Sequence, residues 1–106
     1  MPAFDGIEFT GPVPTDGLPP VPGVYLITTY ASGGVKLLGV YEAEDMNASS
    51  AANPKRDCWM KNRMDTDPEA YYLEEKDPSK RADIVLGVMH RRFYNLTCND
   101  PIRDDF

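Results

Sequence analysis

Three acidic side chains, Glu42, Glu44 and Asp45, crowd into one short stretch of this 106-residue chain. Oxygen ligands at that density are what a hard divalent cation such as Mg²⁺ or Mn²⁺ requires. The same acids equally suit the solvated N-terminus of a helix, where negative charge is favourable. The single histidine, His90, is of the residue type most often used as a general base, yet it stands beside Arg91 and Arg92 near a predicted helix end and reads as a surface residue. Tyrosine and arginine dominate contact hot spots, so Tyr71, Tyr72, Arg91 and Arg92 are the residues best suited to touch a partner. Trp59, next to Cys58, reads first as the anchor of a helix on a sheet and second as a binding residue.

The elements that must position these groups are legible from pattern. "GVYLITTY", from Gly23 to Tyr30, is rich in β-branched and aromatic residues and predicts a strand. "ASGG" supplies a turn, and "VKLLGVYEA", Val35 to Ala43, predicts an antiparallel partner. Asp45 is placed to cap a short helix over Met46 to Ala52, which Pro54 stops. A second short helix is expected over Asp57 to Met64, and a third strand over Ala70 to Glu75. The last helix has Asp77 as N-cap, Pro78 at its first position, and Ala82, Val85, Leu86, Met89 and Phe93 at helical spacing.

Length and composition bound the rest. A chain of 106 residues with 42% hydrophobic and 26% charged side chains makes one globular domain. Residues 1–19 are proline-rich and read as an extended lead-in without regular structure, residues 20–99 as the domain, and residues 100–106 as an acidic tail. The longest uncharged apolar run, Val21 to Ser32, falls short of the roughly 20 residues of a membrane span, and the N-terminus lacks a signal-peptide pattern. A cytoplasmic protein is therefore expected, with Cys58 and Cys98 as reduced thiols. Net charge is −6, and the first 50 residues hold one base, Lys36, against six acids. Strong non-specific nucleic-acid binding usually needs a basic surface, so a protein partner is favoured.

The order strand, turn, strand, short helices, strand, long helix, together with "PGVYLI" at Pro22 to Ile27, "RDCWMKN" at Arg56 to Asn62 and "RRFYNLTCN" at Arg91 to Asn99, resembles the GIY-YIG nuclease superfamily. The resemblance spans roughly Pro20 to Asn99. It implies an α+β fold, a small three-stranded antiparallel sheet flanked by helices in the order β-β-α-α-β-α. It also implies a one-metal phosphodiester hydrolase, in which a carboxylate holds the ion, a tyrosine helps activate water and an arginine stabilises the phosphate.

Position by position, the resemblance puts the first signature tyrosine at Tyr25 and the second signature on "GVY", Gly39 to Tyr41, with tyrosine and glycine exchanged. The catalytic arginine falls on or near Ser49, in "LLGVYEAEDMNASSA", a stretch without Arg, Lys or His. The metal-binding glutamate falls on Gly87, while Asn99 is retained. Asp83, one helical turn before Gly87, is a weak candidate for a displaced ligand. A site lacking both the cation and the metal carboxylate implies that Tyr25 and Tyr41 are vestigial catalytic positions, with no cofactor. The expectation is thus an acidic, non-catalytic binding protein acting on a protein partner, for instance by mimicking phosphate, as a phage or mobile-element inhibitor of a defence nuclease would. An active Mg²⁺- or Mn²⁺-dependent endonuclease with displaced ligands is the alternative. A further one is a non-cleaving nucleic-acid-binding module, which needs Arg56, Lys61, Arg63, Arg91 and Arg92 to cluster.

Overall fold

The computed structural model describes residues 3–92 and 96–99. Its centre is the hairpin of β4 (Gly23–Ala31) and β5 (Gly34–Ala43), preceded by β1 (Ala3–Phe4), β2 (Ile7–Glu8) and β3 (Thr10–Pro14). After β5 come α1 (Met46–Ala51), α2 (Arg56–Lys61), β6 (Glu69–Glu74) and α3 (Pro78–Arg91). The fold is α+β, but the expected three-stranded sheet has four antiparallel strands in the order β3-β6-β4-β5, and β1 with β2 forms a separate two-stranded ribbon.

The three additional strands correct the reading of residues 1–19 as an unstructured lead-in. Asp5 and Gly6 hold positive φ values of 54° and 82°, the geometry of a two-residue hairpin turn for which Asp-Gly is a preferred pair. β3 tolerates Pro12 and Pro14 because it lies at the sheet edge, where a missing N–H breaks no interior ladder. Its neighbour Phe9 and the following Leu18 are both buried, so the segment contributes to the core on which the domain rests.

β4 is central and buried from Gly23 to Thr29, which explains its nearly continuous apolar run. Val24 and Leu26 face one side, where they join Phe9, Tyr71, Val88 and Met89. Tyr25 and Ile27 face the other, with Leu18, Met46, Trp59 and Ala70. The molecule therefore has three layers: α3 covers one face of the sheet and α1 with α2 the opposite face. A register shift between Ile27 and Thr28 of the β4–β5 pairing lets Leu37 join the first cluster and Leu38 the second, as a β-bulge does when it interrupts alternation.

The caps form as the residue types dictate. Asp45 accepts from the Ala48 amide at 3.0 Å, and Asp77 accepts from the Ser79 amide at 2.9 Å, with Pro78 in the first turn. The cysteines overturn the expectation of reduced thiols: Cys58 and Cys98 form a disulfide, their Cα atoms 5.7 Å apart. Residues 96–99 fold back along the outer edge of β5, which brings the two cysteines together across 40 positions of sequence. Among the described residues no helix is long and apolar enough to cross a membrane. Tyr94 of the family-like ending and the acidic tail of residues 100–106 lie outside the described residues.

Candidate functional site

The two signature tyrosines meet because β4 and β5 are registered with Tyr25 opposite Tyr41, their ring centroids 5.3 Å apart. Tyr41 folds back over Gly39. A Cβ at Gly39 would collide with the Tyr41 hydroxyl and would lie 2.7 Å from Cζ and 2.8 Å from Cε2. The order of glycine and tyrosine in "GVY" thus has a physical use: the residue two positions before Tyr41 on the same side of the strand is bare, and the ring occupies its space. Trp59 from α2 closes the stack, 5.8 Å from Tyr41 by ring centroids.

Each polar tip in this stack has a protein partner. The Tyr25 hydroxyl, on a residue that is 0% exposed, shares a 2.8 Å hydrogen bond with Ser49 Oγ and accepts from Asn53 Nδ2 at 2.9 Å. Ser49 is the position where the resemblance puts an arginine. The Tyr41 hydroxyl donates to the Cys98 carbonyl and accepts from Trp59 Nε1 at 3.0 Å. A buried phenol engaged in this way already has protein groups on its hydroxyl, where activation of a water needs that water within hydrogen-bond distance. Asn99 is also occupied: Oδ1 accepts from the Val40 amide at 2.7 Å and Nδ2 donates to the Val40 carbonyl at 2.8 Å.

The acidic trio divides between two structural tasks. Asp45 is the α1 cap. Glu42 and Glu44 receive Arg81, whose Nε and Nη2 donate to them at 2.7 and 2.6 Å. Arg81 is 2% exposed, and its Nη1 donates to the Glu75 and Lys76 carbonyls at 3.0 and 3.1 Å. The fork ties the end of β5 to the β6–α3 turn and the first turn of α3. The hydrogen bond to Glu42 raises the guanidinium pKa, burial opposes that rise, and Glu44 reinforces it. Among the described residues, no group of three or more histidine, cysteine or acidic side chains is arranged to hold a metal ion.

The remaining candidates scatter. Asp83 is exposed on α3, which packs on the Val24 side of the sheet, opposite to Tyr25. Gly87 lies under the Arg91 guanidinium, whose Nη1 would stand 3.1 Å from an added Cβ. Tyr71 and Tyr72 are not the exposed pair that was expected, because consecutive strand residues point to opposite faces. Tyr71 is 7% exposed, packs edge-on against Phe4 at 4.9 Å, and has its pKa raised by burial and, secondarily, by Glu69. Tyr72 is half-buried in the opposite cluster. Arg91 and Arg92 approach Asp5 at 3.7 and 3.2 Å, and His90 is exposed.

The basic residues do not gather on one surface. Arg56 donates to the Ser50 carbonyl at 2.6 Å and to Asp16 at 2.9 Å and stacks 5.4 Å from the Trp59 ring. Arg63 lies beyond α2 near Asp67, across the sheet from Arg91 and Arg92. Arg81, Asn53 and Asp5 are the structurally decisive polar residues that pattern reading did not single out. Only Asp5 carries a local signal, the Asp-Gly pair. Comparison with protein-family models, with curated proteins and with solved structures finds no match to this chain.

Proposed function

We propose that this chain is a non-catalytic binding domain on a GIY-YIG-like arrangement, acting through an acidic surface on a basic protein partner. The carrying observation is the closure of the tyrosine site, with the Tyr25 hydroxyl held by Ser49 and Asn53 at 0% exposure. The net charge of −6 supports a cationic partner, since complementary potentials steer association and select partners. The endonuclease alternative needs Asp83 or Glu42 beside Tyr25. It is disfavoured by Glu42 being bound to Arg81 and by α3 packing on the other face of the sheet. The nucleic-acid-binding alternative is disfavoured by the split of its five bases across two faces.

The test uses the full chain. Single-stranded, double-stranded and branched DNA incubated with it and Mg²⁺ or Mn²⁺ should remain intact. The chain should displace DNA from a basic DNA-binding protein, and the displacement should fade as salt is raised. Metal-dependent cleavage that disappears in Asp83→Ala would overturn the reading. Failure to displace DNA at low salt from any of several basic proteins would remove the phosphate-mimic mechanism.

A further inference from the structure

The segment 96–99 is held on the body of the protein by one covalent bond, a small set of hydrogen bonds, and burial of Leu96 in the α3-face cluster and of Cys98 in the opposite one. The Cys98 amide donates to the Leu38 carbonyl at 2.9 Å, Asn99 brackets the Val40 peptide with the two bonds described above, and the Cys98 carbonyl receives the Tyr41 hydroxyl. These contacts occupy the outer edge of β5, which pairs with no strand among the described residues. The disulfide to Cys58 fixes this strap to α2, and so to the helix that carries Trp59. Unpaired strand edges are avoided in native proteins because they template pairing with other chains, so whatever holds the strap also governs access to that edge.

We propose that the Cys58–Cys98 disulfide is a redox latch: reduction by a dithiol releases the strap of residues 96–99 and uncovers the β5 edge at Leu38 to Val40 without unfolding the sheet. The inference does not depend on the binding reading above. The two sulfurs differ in access. Cys98 is buried at 1% exposure, whereas Cys58 is partly exposed. An incoming thiolate therefore attacks the Cys58 sulfur, the Cys58–Cys98 bond breaks, and Cys98 leaves with the electron pair and is protonated. Asn62 Nδ2, 4.0 Å from the Cys98 sulfur and 3.4 Å from that of Cys58, is placed to donate to the departing thiolate. The second thiol of the dithiol then resolves the mixed disulfide, so Cys58 becomes a thiol and the reductant an intramolecular disulfide. Two electrons and two protons are transferred in all.

Without the disulfide, the described strap residues rest on those hydrogen bonds and on two buried side chains, Leu96 and Cys98. The β4–β5 and β4–β6 ladders contain none of its residues, and the two clusters keep their sheet and helix members without it, so local release is the expected outcome, as small units of low stability open independently of the main core. Dithiothreitol serves as the probe dithiol on the full chain, with residue-resolved amide hydrogen exchange as the readout. In the oxidised chain the Val40 and Cys98 amides should be protected. On reduction both should exchange about tenfold faster or more, while Leu26 and Ile27 in β4 keep their protection, the pattern of a local opening. Exchanging the reductant for oxidised dithiothreitol, which takes back the two electrons and two protons, should restore the first state, and Cys58→Ser should show the open pattern with no reductant. Free thiols in chain purified without reductant would overturn the proposal. So would unchanged Val40 exchange in both the reduced chain and Cys58→Ser, because hydrogen bonds alone would then hold the strap. Simultaneous loss of protection at Val40 and Leu26 would also overturn it, making the disulfide a staple for the whole fold.

Discussion

The two faces of the central sheet are closed by different means. On the α3 face, aliphatic packing around Val24, Leu26, Val88 and Met89 is bordered by a buried cation, Arg81, which binds two carboxylates and two carbonyls. On the opposite face, α1 and α2 are too short to bury a comparable apolar stripe, at six residues each against fourteen in α3. There, an aromatic stack with satisfied hydroxyls and a disulfide complete the closure. Short helices are marginal without tertiary support, and Trp59, Tyr41, Tyr25 and Cys98 supply it. The residues of this stack thus do the work that a longer helix does across the sheet.

That contrast can be broken most strongly at Trp59. Trp59→Ala should cost about 3–5 kcal/mol in urea unfolding, and near-ultraviolet dichroism should report loss of the aromatic stack. Gly39→Ala should cost about 1–3 kcal/mol, since the added methyl must displace the Tyr41 ring and a filled core resists expansion. Its sharper signature is loss of the Trp59 to Tyr41 contact in nuclear Overhauser spectra, with the α3 contacts unchanged. Tyr25→Phe should cost about 1–2 kcal/mol, because Ser49 and Asn53 keep their buried polar groups and lose the hydroxyl between them. A stable Tyr25→Phe chain would place the weight of the closure on Trp59 alone.

The smallest effect belongs to the α3 face and is one of pH. Burial and Glu69 raise Tyr71 above its ordinary value of 10.0, so the folded chain retains the phenolic proton longer than the unfolded chain does. The unfolded state binds fewer protons in that window, and stability should fall as pH rises from about 10 through the higher folded value. Tyr71→Phe should flatten that alkaline slope in denaturation midpoints measured from pH 9 to pH 11.

What could be read in the sequence was local. Asp45, Asp77 and Pro78 announce helix starts through chemistry completed within a few residues, and the β-branched run from Gly23 announces a strand. The Asp5-Gly6 pair carried an equally local signal, but the surrounding prolines suggested irregular chain. Edge position, which makes Pro12 and Pro14 acceptable in β3, is a property of the finished sheet. Arg81 could not be singled out because Glu42 and Glu44 lie 39 and 37 positions away. The disulfide joins residues whose proximity depends on the strap folding along β5. Strand alternation alone sends Tyr71 and Tyr72 to opposite faces, but that both faces are covered, so that neither is an exposed patch, is a property of the three-layer fold. The tyrosine pair was singled out by the resemblance, along with Gly39 and Ser49, but its closure also rests on Asn53, and the roles of Ser49 and Asn53 depend on α1 packing beside β4.

The most direct measurement is the exchange rate of the Trp59 indole proton, followed by two-dimensional nuclear magnetic resonance of the oxidised chain. The donor Nε1 lies 3.0 Å from the Tyr41 hydroxyl on a residue with 2% exposure, so the proton should exchange as slowly as the amides of β4. Rapid exchange, with the β4 amides still protected, would mean that water reaches the tyrosine pair, and the face described here as closed would be an open site.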